Sequence, residues 1–353
     1  MSARYEKVKS ELRRHPRTWL VTGVAGFIGS NLLESLLVLG QRVVGLDNFA
    51  TGSRRNLDEV RGEVGRLAWS RFHFIEGDVR HARTCNESCT DVDIVLHQAA
   101  LGSVPRSIND PVGTHQSNVD GFVNMLVAAK DAGVGRFVYA SSSSVYGDHP
   151  DLPKQEDRIG QPLSPYALTK AVGEQYAAMF SRTYGLHSVG LRYFNVFGPR
   201  QSPAGPYAAV LPRWASSLLR GQSCTINGDG ETSRDFCYVA NAVQANLLAG
   251  TTREPSALDQ VYNIACGRRT SLKTLYRLLR TRLAGLDPTI ASMAATYAPF
   301  RKGDVRHSRA NISKARRLLG FKPTHSVADG LDEALSWYVE LARDASRAKE
   351  GVA

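Results

Sequence analysis

The segment Val21-Thr-Gly-Val-Ala-Gly-Phe-Ile-Gly29 constrains this chain more than any other part of it. An apolar run, Trp19 to Thr22, leads into the segment, and a helical pattern, Gly29 to Leu39, leads out of it. Glycine is the residue that turns this tightly and lets backbone come close to a ligand. A helix starting there offers unpaired N–H groups and the positive end of its dipole, which together make an anion site. The next strand, Arg42 to Leu46, runs into Asp47, eighteen residues past Gly29, where a carboxylate can accept the hydroxyls of an adenosine ribose. Strand, glycines, helix, strand and acid together read as a dinucleotide site. Gly23, Gly26 and Gly29 are expected at the pyrophosphate, and Phe27 and Ile28 between them are expected to bind the cofactor too. An acid at position 47 repels a 2′-phosphate, so NAD is expected rather than NADP.

The alternation of strand and helix continues. Phe72 to Ile75, Ile94 to His97, Arg136 to Ala140 and Ser188 to Arg192 read as further strands, with helices from about His115 to Ala132 and Pro165 to Tyr184. This pattern predicts an α/β fold: a Rossmann-type doubly wound parallel sheet with a smaller C-terminal α/β substrate-binding lobe. The expected division is an N-terminal extension, 1–17, a cofactor domain, 18–193 with about 235–262, and a substrate domain, 194–234 with 263–353. With 353 residues and 42% hydrophobic content, the chain can bury two cores. The apolar stretch Trp19 to Leu39 is broken by Thr22, Ser30, Asn31 and Glu34, so no membrane span is expected, and the basic first residues lack the apolar centre of a signal peptide. A cytoplasmic protein follows.

Tyr166 and Lys170 stand four apart in Ser-Pro-Tyr-Ala-Leu-Thr-Lys and share one face of a helix. A tyrosine of ordinary pKa near 10 is a poor base at neutral pH, but an adjacent ammonium and a cationic nicotinamide favour its phenolate. Tyr166 is then a general base, and Lys170 can also hold the nicotinamide ribose. Ser141 to Ser144 end the fifth strand at the ligand-binding edge, where a hydroxyl can pass a proton or hold a substrate oxygen. For Ser141 a plain strand-end turn suffices.

These motifs resemble the extended branch of the short-chain dehydrogenase/reductase superfamily. The likeness runs from about Trp19 to Trp337 and is closest to UDP-hexose 4-epimerases, among them the bacterial UDP-N-acetylglucosamine 4-epimerases. It is carried by Leu46-Asp-Asn-Phe-Ala-Thr-Gly52, His97-Gln-Ala-Ala-Leu-Gly-Ser-Val-Pro-Arg106, Ser-x-x-Val-Tyr-Gly, Arg192-Tyr-Phe-Asn-Val-Phe-Gly-Pro-Arg200 and Arg234-Asp-Phe. The resemblance implies that Ser142 is the catalytic hydroxyl and that Asn48, Phe49, Thr51, Gly52, Asp78, Val79, Gln98, Ala99, Ala100 and Tyr193 contact NAD. It implies a UDP-sugar substrate, with Asn195, Arg234 and Arg301 at the diphosphate, Asp304 at the uridine ribose, and Ala209, Val210, Leu211, Thr225 and Asn227 around uracil. Gly102, Ser103, Ser143 and Ser144 fall on the sugar side, as does Ser308, where glucose-restricted relatives carry tyrosine. The related dehydratases and decarboxylases need an acid beside the catalytic hydroxyl, and serines occupy those positions here. The implied reaction is 4-epimerisation of UDP-GlcNAc and UDP-GalNAc through a 4-keto sugar, with the corresponding uronic acids as the alternative. In the Arg234 segment Asn241 replaces a common aspartate, which puts local packing in question.

The net charge of +11 is concentrated, with fourteen Lys/Arg against two Asp between Arg268 and Lys322. No nucleic-acid reader motif accompanies it, so nucleic acid is not expected as a partner, and phosphate-bearing ligands account for a few of these groups. A non-catalytic NAD-binding scaffold would have no use for an activated phenol. Five scattered cysteines suit neither a disulfide framework nor a zinc site, and no metal is expected. The two long helices offer an outer face for a homodimer.

Overall fold

A computed structural model of the chain describes residues 3–203, 208–300 and 305–350. Seven parallel strands form the central sheet: β1 (Thr18–Thr22), β2 (Arg42–Asp47), β3 (Phe72–Glu76), β4 (Ile94–His97), β5 (Arg136–Ser142), β6 (Ser188–Tyr193) and β7 (Gln260–Ile264). Their order across the sheet is β7-β6-β5-β4-β1-β2-β3. Both faces are covered by helices, so the central strands are apolar along their length rather than alternating; β4, with Ile94, Val95 and Leu96, is buried throughout. The strand order reverses at β1 and β4, and a crevice opens there at the carboxyl ends.

The helices that flank the first half are α1 (Ala3–Arg14), α2 (Phe27–Val38), α3 (Arg54–Trp69), α4 (Ala82–Ser88), α5 (Val104–Asn109), α6 (Pro111–His115), α7 (Gly121–Asp131) and α8 (Pro165–Tyr184). The single helix expected over His115 to Ala132 is interrupted: Gln116–Asp120 forms a π turn between α6 and α7. The strand ending in serines is two residues longer than expected and includes Ser141 and Ser142. Helix α8 is delimited by its sequence. Ser164 caps it by accepting from the Ala167 N–H at 3.1 Å, Pro165 begins it, and Gly185 ends it at φ 70°.

Beyond Tyr193 the chain builds a smaller lobe from α9 (Val210–Leu219), α11 (Leu272–Ala284) and α12 (Val327–Glu350) around Trp214, Leu275, Leu279 and Tyr338, while α10 (Val239–Thr251) returns to the main sheet. Strand β7 joins the sheet beside β6 and extends to Ile264. Asn241, at the start of α10, accepts from Thr324 N–H at 2.8 Å and donates Nδ2 to His325 O at 2.8 Å. An aspartate has no proton for the second bond, so the amide fits this site. Helix α1 packs on α10, with Leu12 buried. Among the described residues no helix is long and apolar enough to cross a membrane, and no three His, Cys, Asp or Glu side chains cluster as metal ligands.

Candidate active site

The crevice at the carboxyl ends of β1, β4 and β5 has a volume of about 550 Å3. The glycine turn makes one wall. Gly23 has φ +67°, and a Cβ on it would lie 2.9 Å from the Ala99 nitrogen; a Cβ on Gly29 would lie 2.0 Å from the Gly23 carbonyl oxygen. Glycine at these positions lets α2 start directly against β4. No side chain caps α2, so the N–H groups at Phe27, Ile28 and Gly29 are offered to the crevice, which all three residues line. Asp47 braces the turn: its Oδ2 accepts from Ala25 N–H at 2.9 Å and its Oδ1 from Phe49 N–H at 2.8 Å. Burial raises the Asp47 pKa above the ordinary value, against the pull of those N–H donors.

Asn48, Thr51, Asp78, Val79, Gln98, Ala99, Ala100, Gly102, Tyr193 and Asn195 also line the crevice. Burial opposes the charge of Asp78, but hydrogen bonds from the Arg80 side chain and backbone and from Asn48 outweigh it and hold the carboxyl at about 2. Gln98, Tyr193 and Asn246 of α10 close a ring: Gln98 Nε2 donates to Asn246 Oδ1 at 3.1 Å, Asn246 Nδ2 to the Tyr193 hydroxyl at 2.7 Å, and that hydroxyl to Gln98 Oε1 at 3.1 Å. Phe49 and Gly52 are not in the wall. The Phe49 ring packs 5.4 Å from Phe74, and Gly52 sits against Ala25.

Opposite the glycine turn, α8 presents Tyr166 and Lys170 beside the end of β5. Lys170 Nζ donates to Ala140 O at 2.9 Å and lies 5.9 Å from the Tyr166 ring centre. Burial lowers the Lys170 pKa to about 8, against the attraction of Glu174. Burial raises that of Tyr166, and a hydrogen bond with Ser142 opposes the rise. The direction of that bond is fixed by Ser144, whose Oγ and N–H donate to Ser142 Oγ at 2.9 and 3.2 Å. The Ser142 proton is left for Tyr166, a donor that favours the phenolate. Ser141 lines the crevice, whereas Ser143 and Ser144 do not. Ser103 spends its hydroxyl capping α5, accepting from Arg106 N–H at 3.3 Å.

A second cavity of about 290 Å3 adjoins the first and shares Asn195, Val196 and Gln201 with it. Ala209, Val210, Leu211, Thr225, Asn227 and Arg234, named separately from the sequence, all line it. Arg301 and Asp304 lie outside the described residues. Ser308 bonds its N–H to Ser233 O at 3.0 Å, next to Arg234, but lines neither cavity among the described residues. Sequence reasoning missed Gln201, whose buried Oε1 has no hydrogen-bond partner among the described residues, and also Arg80 and Asn246. Gln201 directly follows the Gly-Pro-Arg200 turn, and Asn246 is one of three amides in the otherwise apolar α10, which are the signals each left.

The sequence profile of the NAD dependent epimerase/dehydratase family matches residues 19–265. The chain belongs to this family. UDP-glucose 4-epimerase of Mycolicibacterium smegmatis is 35% identical over 321 residues, covering 90% of this chain and 97% of its own. Among solved structures, UDP-N-acetylglucosamine 4-epimerase of Methanobrevibacter ruminantium, in complex with UDP-N-acetylmuramic acid, superposes with a TM-score of 0.84 at 35% identity, covering 92% of this chain and 99% of that one. UDP-glucuronic acid 4-epimerase of Bacillus cereus, in complex with UDP-glucuronic acid and NAD, gives 0.81 at 31% identity, with coverage of 92% and 99%. NAD is the cofactor of this family member, and the uncapped α2 terminus, the glycine walls and Asp47 fit it.

Proposed function

We propose that this family member is a UDP-sugar 4-epimerase that interconverts UDP-GlcNAc and UDP-GalNAc. The observation that carries the reading is the junction of the two cavities at Asn195, Val196 and Gln201, with Ser142, Tyr166 and Lys170 on the cofactor side and Arg234 beyond. A sugar diphosphonucleotide seated with its base among Ala209, Val210, Leu211, Thr225 and Asn227 directs its diphosphate past Asn195 and Arg234 and its sugar toward Tyr166.

Gly23, Gly26 and Gly29 with the α2 terminus hold the NAD pyrophosphate, Asp47 the adenosine ribose, and Gln98 and Tyr193 the nicotinamide end. NAD supplies a hydride acceptor that later returns the same hydride. Tyr166 removes the proton of the 4-hydroxyl, with Ser142 donating to its oxygen, and Lys170 keeps the phenolate favourable. When the 4-keto sugar has turned its other face, Tyr166 gives the proton back to the inverted alcohol. Because serines stand at positions 143 and 144, the carboxyl group with which related dehydratases eliminate water is missing there. A homodimer formed through α8 completes the proposal; the exposed Ile108 and Val112 favour α5 and α6 beside it, rather than the expected helix over His115 to Ala132, as the rest of that face.

The test is NMR of purified protein with UDP-GlcNAc and no added cofactor, where UDP-GalNAc is the expected product. A preference of more than about tenfold for the uronic acids, about 1.4 kcal/mol in the transition state, replaces the neutral sugar with the acidic one. No turnover of any UDP-sugar, with NAD supplied, overturns the reading.

A further inference from the structure

Tyr166, Lys170 and Glu174 are spaced one turn apart on one face of α8 and meet three consecutive residues at the end of β5. Tyr166 faces Ser142, which opposes the rise of its pKa, Lys170 Nζ donates to Ala140 O at 2.9 Å, and Ser141 Oγ donates to Glu174 Oε1 at 2.5 Å. The first two contacts belong to the reaction proposed above. The third has no part in it.

Glu174 is held from its other side by Arg192 of β6, which donates Nε to Oε1 at 2.8 Å and Nη2 to Oε2 at 2.7 Å. Their side chains are 11% and 3% exposed, and Arg192 is the direct ladder partner of Ser141. The remaining Arg192 donor, Nη1, reaches the Tyr146 hydroxyl and Glu156 O, both at 3.0 Å, and Tyr146 donates onward to Asn263 Oδ1 of β7 at 2.6 Å. A well-packed apolar pair often serves stability as well as a buried ion pair does, so stability alone is a weak reason for one here. Its place, one residue from Ser142 and one turn from Lys170, points to another.

We propose that Glu174 is a positioning residue of the reaction: with Arg192 it fixes Ser141, and so Ser142 against Tyr166, and it supplies the negative charge that keeps the proton on Lys170. The inference rests on the reading of Ser142, Tyr166 and Lys170 given above. The titratable and charged groups around Lys170 are Tyr166 and Glu174 on its own helix, His97 on β4 and, paired with Glu174, Arg192 on β6. Burial, with Lys170 adding to it, lowers the His97 pKa to about 3, so that ring is neutral and offers Lys170 no counter-charge. Glu174 is the carboxylate that acts on Lys170.

Glu174→Gln in the full-length holoenzyme keeps the shape and an acceptor for Ser141 but removes the charge. The expected result is a fall in kcat of about tenfold or more, KM within about twofold of wild type, and an alkaline limb of kcat moved down by roughly one pH unit. Glu174→Asp restores part of both. Ser141→Ala slows turnover and leaves the limb in place. A folded Glu174→Gln enzyme whose kcat and alkaline limb match wild type, or one that loses only thermal stability, overturns the proposal. If that variant does not fold, Glu174→Gln with Arg192→Met removes the acid and its partner together and is read on kcat against KM alone: a fall in kcat is expected, and a wild-type kcat overturns the proposal. Titration of Lys170 by NMR of labelled lysine, assigned with Lys170→Met, needs no substrate. It keeps the inference testable if no UDP-sugar is turned over: a lower Lys170 pKa in Glu174→Gln is expected, and an unmoved one overturns it.

Discussion

Which way one hydroxyl proton points decides much at the scale of single residues. Both acceptor positions of Ser142 are taken by Ser144, so its proton is left for Tyr166. Ser144→Ala frees that hydroxyl to rotate and is expected to lower kcat roughly three- to tenfold without loss of bound NAD, as read by turnover and by cofactor content. Tyr166→Phe deletes the base and is expected to cost about 100- to 10,000-fold in kcat while the fold, by circular dichroism, is kept. Because burial brings the Lys170 pKa down to about 8, the ammonium is lost as pH rises through that value and the rate should fall with it; a flat kcat profile from pH 7 to about 9.5 contradicts this. Tyr166 and Lys170 were legible because helical spacing puts fourth neighbours on one face. The bond from Ser144 to Ser142 and the place of Glu174 were not, since nothing local tells which of four serines turns inward or which strand supplies the partner of a buried acid.

Individual elements show the same division. The glycine turn and α2 could be read from the sequence because their residue types are dictated by backbone approach, and Gly29→Ala, whose Cβ would meet the Gly23 carbonyl at 2.0 Å, is expected to purify with little or no NAD. Cofactor released on denaturation measures this, and wild-type content would refute it. Helix α8 was equally legible from Ser164, Pro165 and Gly185; Ser164→Ala should cost about 1 kcal/mol in urea unfolding through the lost cap. The π turn at Gln116–Asp120 was not, since a bond to the fifth rather than the fourth residue changes no apolar spacing that a sequence displays. That turn carries Asn118, which exchanges bonds with Leu101 at 2.7 and 3.1 Å and donates to Thr169 at 3.2 Å, tying the loop after β4 to α8.

Over the whole molecule the two lobes are interleaved rather than strung in series. The chain leaves the sheet at Tyr193, builds part of the smaller lobe and returns to lay β7 beside β6. The outward residues Ile108, Val112 and Leu168 of α5, α6 and α8 are exposed on packed neighbours, the face proposed above for a second copy. Leu168→Glu is expected to halve the mass measured by sedimentation, and a wild-type monomer contradicts the assignment. The amino-terminal helix has its own consequence. Leu12 O accepts from Gln41 Nε2 at 2.8 Å, and the Gln41 Oε1 takes Arg17 N–H at 3.0 Å and the Trp19 indole at 3.1 Å, while the rest of α1 lies on α10. Half of the seat of α1 is therefore local, at Gln41 and Trp19, and the other half is α10, which ends at Thr251, so the contact that completes it joins segments far apart in the chain.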